Sequence, residues 1–163
     1  MIIVVMGVCS CGKTLIAKML AKEMGLSFYD ADDFHSTESV EKMRSGIALD
    51  DNDRLPWLKR MAEEMPQWKS SGGAVLACSA LKESYRKVLK EAGEVFFVYL
   101  KGSKKLIIER MRGRKDHYMP VSLVDSQFAT LEEPADAAVV DIAKTPDEIV
   151  RYILAKLNKK RAD

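Results

Sequence analysis

The sequence predicts an α/β fold in which helices cover both faces of a doubly wound, five-stranded parallel sheet. Short apolar runs alternate with segments whose apolar residues recur at helical spacing, an alternation typical of parallel sheets. A glycine-rich loop also follows the first apolar run and precedes the first helical segment. Because such sheets bind ligands outside the carboxyl ends of their strands, we expect the functional site at that edge.

The strands and helices are predicted from apolar periodicity and from glycine and proline positions. The predicted strands are Ile2–Met6, Ser27–Asp30, Ala74–Cys78, Val95–Leu100 and Ala138–Asp141. The predicted helices are Lys13–Met24, Thr37–Ser45, Arg54–Lys69, Lys82–Ala92, Lys104–Met111, Val121–Leu131 and Pro146–Leu157. Gly25 suits the end of the first helix, and Pro120 and Pro146 suit first turns of later helices.

Length and composition predict one globular domain that spans residues 1–163. With 26 basic and 24 acidic residues the net charge is +2, so we expect neither nucleic acid nor membrane as a partner. No apolar stretch approaches the length of a membrane span, and no basic segment precedes the first apolar run, so we expect no signal peptide. Three cysteines are too few for a disulfide framework and favour the reducing cytoplasm.

The glycine-rich loop reads Gly-Val-Cys-Ser-Cys-Gly-Lys-Thr, which matches the phosphate-binding pattern Gly-x-x-x-x-Gly-Lys-Thr. Its backbone N–H groups and the positive end of the next helix would converge on phosphates. Lys13 would reach the β- and γ-phosphates, and the Thr14 hydroxyl would bind Mg²⁺. We therefore predict a nucleoside triphosphate site at Gly7, Val8, Cys9, Ser10, Cys11, Gly12, Lys13 and Thr14.

Two other classes of phosphate-loop protein lack their signatures here. The Asp-x-x-Gly and Asn-Lys-x-Asp motifs of regulatory GTPases do not occur, and the strand at 74–78 ends in Cys-Ser instead of the acid that motor ATPases need. The acids follow the second strand, as Asp30, Asp32 and Asp33. Asp30 and Asp32 share a side if the chain stays extended, and they could hold Mg²⁺-bound water or accept a hydroxyl proton. The alternative is a polar strand end with a helix N-cap.

Beyond these motifs the sequence resembles the small gluconokinases, relatives of shikimate kinase and the nucleoside monophosphate kinases. Matching blocks follow in order over roughly four fifths of the chain: the phosphate loop, Asp30–His35, Glu41–Gly46, Leu49–Leu58, Cys78–Arg86, Arg114–Pro120 and Ser126–Glu132. The resemblance implies the phosphate-loop fold of the shikimate kinase type. It also implies an acceptor-binding helical segment at about 33–70 and a lid at about 110–120.

The resemblance further implies phosphorylation of D-gluconate to 6-phosphogluconate, with ATP and Mg²⁺, in a cytoplasmic homodimer that feeds the pentose phosphate pathway. The implied catalytic residues are Lys13, Asp32 and Arg54, with metal contacts from Thr14 and Asp30. The implied nucleotide contacts add the lid residues Arg110 and Arg114 to the loop. The implied acceptor contacts are Asp32, His35, Lys42, Arg54, Ser79, Lys82, Arg86 and Gln127. Another small-molecule kinase of this fold, such as a shikimate kinase, or a nucleotide-binding protein without catalysis, remains the alternative.

The chain departs from the family pattern in two places, the phosphate loop and the lid. The family usually has glycine or serine where this loop has Cys9, Ser10 and Cys11. A residue other than glycine is strained at a position that needs positive φ. The family also tends to have glycine before the lid histidine, where this chain has Asp116, which adds negative charge near the phosphates.

The cysteines give a prediction of their own. Because the third strand neighbours the first in this fold, Cys78 should end close to Cys9 and Cys11. Thiols near a helix N-terminus have lowered pKa values, so we predict inactivation by alkylation or mild oxidation and protection by ATP. The alternative is that all three thiols are buried, inert fillers of small spaces.

Overall fold

The strands and helices come from a computed structural model, which describes residues 1–113 and 121–163. The strands are β1 (Ile2–Met6), β2 (Ser27–Asp30), β3 (Ala74–Ala77), β4 (Phe96–Lys101) and β5 (Ala138–Asp141). The helices in those ranges are α1 (Lys13–Met24), α2 (Thr37–Arg44), α3 (Asp51–Ser70), α4 (Glu83–Lys90), α5 (Lys104–Arg112), α6 (Val121–Thr130) and α7 (Pro146–Ala162).

The five strands form one sheet in the order β2-β3-β1-β4-β5, and every neighbouring pair is parallel. Successive strands of the chain lie on both sides of β1, so the sheet is doubly wound, and the predicted fold class is confirmed. All five residues of β1 are apolar and buried, because β1 is the central strand of a sheet with helices on both faces. The strand predicted at 74–78 ends one residue earlier, and the strand predicted at 95–100 is shifted by one residue at both ends.

Alternate residues of β1 face the two helical layers, as the two-residue period of a strand requires. Ile3 and Val5 lie in the core cluster that includes α1 and α7. Ile2, Val4 and Met6 lie in the cluster that includes α3 and α4. The two apolar clusters hold helices on both faces of the sheet and leave its carboxyl edge for the loops.

The sequence places the start of α3 three residues too late. Its first turn begins at Asp51 because the Asp50 carboxylate accepts a hydrogen bond from the Asp53 N–H at 2.8 Å. The Asp53 carboxylate in turn accepts from the Asp50 N–H at 3.0 Å, which completes a capping box. This correction matters to the site because it puts Asp51 and Arg54 together on the first turn of one helix.

A short 3₁₀ turn at Ala31–Phe34, directly after β2, is absent from the predicted elements. The chain therefore does not stay extended from Asp30 to Asp32, which was the condition for a shared side, and Asp30 is instead an N-cap, as in the alternative. The Asp30 carboxylate accepts a hydrogen bond from the Asp32 N–H at 2.9 Å and so begins the turn. Such local bonds from aspartate compete with strand structure, which explains why β2 ends here.

Three expectations about helix ends have different outcomes. Gly25 closes α1 with a φ of +66°, as predicted, and Pro146 lies in the first turn of α7 behind the Thr145 N-cap. Pro120 lies outside the described residues.

In the described part of the chain, no helix combines the length and apolarity that crossing a membrane requires.

Candidate active site

The Gly7–Thr14 loop joins β1 to α1 at the carboxyl edge of the sheet. The Lys13 ammonium donates hydrogen bonds to the carbonyl oxygens of Gly7 at 3.0 Å and Val8 at 2.8 Å, so it lies across the loop. A Cβ atom at Gly7 would meet the Cys11 Sγ at 2.7 Å, which is why this position requires glycine. The loop and the N-terminus of α1 thus have the arrangement that binds phosphates.

One of the two departures from the family pattern has a clear backbone consequence. Ser10 has a φ of +59°, whereas neither Cys9 nor Cys11 lies in the left-handed region. A non-glycine residue in that region costs about 1–2 kcal/mol. The strain expected from missing glycine therefore falls on Ser10. The second departure, Asp116, lies outside the described residues.

Cys9 and Cys78 do not have the lowered pKa values that the sequence predicted. β3 does lie beside β1, and the Cys78 N–H donates to the Val5 carbonyl at 3.1 Å. However, burial raises the pKa of Cys78 to about 12. Burial also raises the pKa of the half-buried Cys9, although the charge of Lys13 opposes this shift. Cys11 is 1% exposed. Desolvation therefore outweighs the helix end, and the prediction of lowered pKa values is wrong for Cys9 and Cys78.

The two predicted metal-binding residues meet beside the loop. The Thr14 hydroxyl donates a hydrogen bond to the Asp30 carboxylate at 3.2 Å, which joins the start of α1 to the end of β2. Mg²⁺ commonly keeps several waters and takes one or two protein oxygens together with substrate phosphates. The hydroxyl and carboxylate oxygens at this junction fit that requirement.

Asp32 lies on the 3₁₀ turn with 81% of its side chain exposed. The Trp57 indole N–H donates to the Ala31 carbonyl at 2.6 Å and ties this turn to α3. Trp57 itself is 4% exposed, so it belongs to the core. The turn is thus fixed by a buried contact while the Asp32 carboxylate faces outward.

His35 lies beneath Asp32 and is 5% exposed. Its ring stacks on Trp57, with 4.3 Å between ring centres, and its Nε2 is 3.8 Å from the Asp32 carboxylate. Burial, followed by the positive charge of Arg54, lowers the pKa of His35 to about 4. Its buried Nδ1 has no hydrogen-bond partner among the described residues. The imidazole is therefore neutral at physiological pH.

A cavity of about 410 Å³ opens between the start of α3 and the segment before α4. The residues lining it are Leu49, Asp50, Asp51, Asn52, Arg54, Lys82 and Thr130. Arg54 donates a hydrogen bond to the Tyr85 hydroxyl at 3.1 Å, and Lys82 donates to Asp51 at 3.1 Å. The Tyr85 hydroxyl donates to the same Asp51 carboxylate. Two of the predicted acceptor-binding cations therefore share one wall of this cavity.

The sequence missed Asp51 and Tyr85, which complete this cluster. Both lie in blocks that carry the resemblance, Leu49–Leu58 and Cys78–Arg86. Neither belongs to a short motif with a known chemical role, so the sequence did not single them out. Hydrogen bonds from Tyr85 and then Lys82 hold the pKa of Asp51 below its ordinary value. Burial and the bond to Asp51 raise the pKa of Tyr85. Asp51 is thus ionised and Tyr85 neutral at physiological pH.

Three other predicted acceptor residues have different surroundings. Lys42 pairs with Asp53 at 2.9 Å, and this bond raises the pKa of Lys42. Ser79 is half-buried after β3, and its carbonyl accepts from the Gly7 N–H at 3.3 Å. Arg86 is 4% exposed and donates to the carbonyls of Ala80 at 2.7 Å and Glu132 at 2.9 Å. The guanidinium of Arg86 therefore bonds to backbone behind the cavity.

The last predicted contacts come from α5, the lid and α6. Arg110 donates to the Ile142 carbonyl at 2.5 Å, and Arg114 lies outside the described residues. The Gln127 side-chain oxygen accepts a hydrogen bond from the Cys9 N–H at 2.7 Å. Gln127 thus contacts the phosphate loop, although the family pattern associates it with the acceptor.

A second cavity, of about 400 Å³, lies beside the amino ends of β1 and β4. It is lined by Met1, Ile2, Lys69, Glu94, Phe96, Leu157, Lys160 and Arg161. This is the sheet edge opposite the phosphate loop, and parallel α/β sheets bind substrates at the carboxyl edge. The cavity near Arg54 is therefore the candidate acceptor pocket.

The chain is similar to known kinases in sequence and in structure. Residues 9–158 match the family model described as shikimate kinase. The chain is 42% identical over 168 residues to a probable gluconokinase of Dictyostelium discoideum, with 94% of this chain and 84% of that relative covered. It is 38% identical over 162 residues to the thermosensitive gluconokinase of Escherichia coli, with 93% and 87% covered.

Solved structures of related kinases also resemble this chain. A gluconokinase from Sinorhizobium meliloti aligns with a TM-score of 0.88 at 42% identity, over 96% of this chain and 91% of that chain. Shikimate kinase from Aquifex aeolicus aligns with a TM-score of 0.57 at 18% identity, over 99% of both chains. The second likeness concerns the fold alone and confirms the predicted fold type.

Proposed function

The chain belongs to the gluconokinase family, and from that premise we propose that it transfers the γ-phosphoryl group of ATP to gluconate, giving ADP and 6-phosphogluconate. The observation that carries this proposal is the cavity lined by Arg54 and Lys82, at the same sheet edge as the Gly7–Thr14 loop. A polyhydroxy carboxylate needs cations for its carboxylate and polar groups for its hydroxyls. The lining of this cavity supplies both.

On the nucleotide side, ATP lies on the loop with its phosphates against the N-terminus of α1. The Lys13 ammonium, which bonds to the Gly7 and Val8 carbonyls, exchanges these partners for the β- and γ-phosphates. Thr14 and Asp30 are the residues that would hold Mg²⁺, which when bound neutralises charge on the phosphates. Arg110 and Arg114 are proposed to add positive charge over the phosphates from the lid side.

On the acceptor side, Arg54 and Lys82 bind the gluconate carboxylate, Arg54 through its planar guanidinium. Asp32 accepts the proton of the terminal hydroxyl. That oxygen attacks the γ-phosphorus in line, the new P–O bond forms, and the bond to the β–γ bridging oxygen breaks to release ADP. The exposure of the Asp32 carboxylate on a fixed turn supports this role.

The remaining acceptor residues are proposed to act around this centre. His35 is neutral and its Nε2 lies 3.8 Å from the Asp32 carboxylate, so it suits a hydroxyl of the substrate better than its carboxylate. Lys42, Ser79, Arg86 and Gln127 stay proposed acceptor-site residues. Their contacts with Asp53, Gly7, Ala80 and Cys9 support a role in holding the walls of the site.

We propose a cytoplasmic location, because the chain has three free cysteines and no disulfide among them. We also propose a homodimer that feeds the pentose phosphate pathway, as the family implies. Light scattering after size-exclusion chromatography measures the mass of the assembly. A mass near that of one 18.3 kDa chain would contradict the dimer.

The function is tested by ADP release with Mg²⁺ and each of three acceptors: gluconate, shikimate and AMP. We expect the highest kcat/KM with gluconate and identify the product as 6-phosphogluconate by mass spectrometry. A higher kcat/KM with shikimate or AMP would move the assignment to another kinase of this fold. ATP binding without turnover of any acceptor would leave a nucleotide-binding protein.

A further inference from the structure

Tyr85 lies at the centre of the acceptor cluster, yet it does not line the cavity itself. The side chain projects from the first turn of α4 and the residue is 5% exposed, so its ring is fixed by packing. Its hydroxyl accepts a hydrogen bond from the Arg54 guanidinium at 3.1 Å and donates one to Asp51. The hydroxyl therefore connects a cation and an anion on the first turn of α3.

The Tyr85 ring also supports both cations of the cavity. The Arg54 guanidinium carbon lies 5.5 Å from the ring centre, and the Lys82 ammonium lies 5.6 Å from it. Distances of this size permit a cation–π attraction. Asp51 bonds to Lys82 as well as Tyr85, so one carboxylate offsets the repulsion between the two cations.

An arginine at the rim of an open cavity has several rotatable bonds. Its ability to bind a carboxylate through two hydrogen bonds depends on the orientation of its guanidinium plane. Two parallel N–H bonds reach a carboxylate only when its oxygens lie in that plane. The bond to Tyr85 engages one terminal nitrogen of Arg54 and restricts the plane. The Asp51 carboxylate orients the tyrosine hydroxyl so that its lone pairs stay available to Arg54.

We propose that Tyr85, held by Asp51, is a positioning residue that sets the plane of the Arg54 guanidinium toward the carboxylate of the acceptor. This inference rests on the proposed function, because it requires a carboxylate-bearing acceptor in this cavity. It assigns to Tyr85 an effect on acceptor binding and none on ATP binding or on the chemical step.

The test is Tyr85→Phe, which removes the hydroxyl and keeps the ring beneath both cations. We expect the KM for gluconate to rise about tenfold, the size of one charged hydrogen bond, with kcat and the KM for ATP within about twofold of wild type. Tyr99→Phe is the matched control, because Tyr99 is also buried and donates to a carboxylate, Glu133, at 3.2 Å. An unchanged gluconate KM in Tyr85→Phe, or an equal rise in Tyr99→Phe, overturns the proposal.

A second comparison separates positioning from general packing. In an Arg54→Lys background the cation is a point charge with no plane to set. We expect Tyr85→Phe to change the gluconate KM less than about twofold in that background. A tenfold rise in both backgrounds shows that Tyr85 acts independently of Arg54 and overturns the proposal.

The proposed function and this inference fail in distinguishable ways. Turnover of gluconate by the wild-type enzyme tests the function alone. If shikimate, another carboxylate, is the better acceptor, the function is reassigned and the Tyr85→Phe comparison is made with shikimate. If AMP, which has no carboxylate, is preferred, both the function and the inference are overturned.

Discussion

The side-chain oxygen of Gln127 accepts a hydrogen bond from the Cys9 backbone N–H at 2.7 Å, although the two are 118 positions apart in the chain. Gln127 lies on α6, and Cys9 lies in the phosphate loop between β1 and α1. The bond fixes one of the loop amides and connects the loop to the helix that follows residues 114–120. A change at Gln127 should therefore affect nucleotide binding.

Replacing this glutamine by alanine leaves the Cys9 amide without its side-chain acceptor. We expect Gln127→Ala to raise the KM for ATP by about 2–10-fold, the range for one lost hydrogen bond, while the gluconate KM changes less. Steady-state kinetics with each substrate varied in turn measures both. Gln67→Ala, on the exposed side of α3, is the control. A larger effect on the gluconate KM than on the ATP KM would contradict this prediction and limit Gln127 to its role at the acceptor.

The two charged residues at the centre of the proposed mechanism should be essential for rate and not for folding. Lys13→Ala is expected to lower kcat by about 10³-fold or more, and Asp32→Asn by about 10²–10⁴-fold. Both residues are at least partly exposed, so the melting temperature should change little. Lys22→Ala and Asp33→Asn are the matched controls. Normal turnover in Asp32→Asn, with a loss in Asp33→Asn, would transfer the base role to Asp33.

Arg54 provides a test of geometry against charge. Arg54→Lys keeps the positive charge and loses the planar fork that binds a carboxylate through two bonds. We expect a fall in kcat/KM for gluconate of about tenfold or more, with nearly normal ATP binding by calorimetry. Lys82→Arg is the reciprocal control and should be milder. Equal losses for both substrates in Arg54→Lys would place Arg54 on the nucleotide side.

His35 predicts a pH dependence of stability. Its pKa is about 4 in the folded protein against an ordinary 6.5, so the unfolded chain binds the proton more readily between those values. The contribution of the neutral imidazole is complete above about pH 6.5 and is lost as the pH falls toward 4. We expect His35→Phe, which keeps a ring against Trp57, to lose less stability than wild type between pH 7 and pH 5. Urea unfolding at both pH values measures the free energy of unfolding. An equal fall in this free energy in wild type and His35→Phe would contradict the prediction.

The thiols should be less reactive than the sequence suggested. Because burial raises the pKa values of Cys9 and Cys78, little thiolate forms at neutral pH. We expect iodoacetamide at pH 7 to leave Cys11 and Cys78 unmodified in the folded enzyme and to modify Cys9 slowly. Mass spectrometry of the folded and urea-unfolded protein maps the adducts. Rapid modification of Cys9 with loss of activity would restore the idea of a sensitive thiol.

Features that depend on neighbouring residues in the chain were predictable from the sequence alone. Apolar periodicity gave five strands in the right places, and the Gly7–Thr14 spacing identified the phosphate loop. A strand, a tight loop and a helix N-terminus bind an anion through their own backbone, so the pattern contains most of the geometry. Thr14 and Asp30, which the family resemblance assigned to the metal, lie in hydrogen-bond contact because the ends of β2 and β1 lie at one edge of a parallel sheet.

Side-chain partners were decided only by tertiary packing. The sequence located Arg54 and Lys82, but the packing of α3 against α4 brought Asp51 and Tyr85 to them from 34 positions apart. Likewise, the N–H groups of a buried arginine need hydrogen-bond acceptors. Those of Arg86 donate to backbone carbonyls that only the folded chain brings near them. The lowered pKa of His35 and the raised pKa of Cys78 share the same origin, since burial depends on the whole fold and no local motif encodes it.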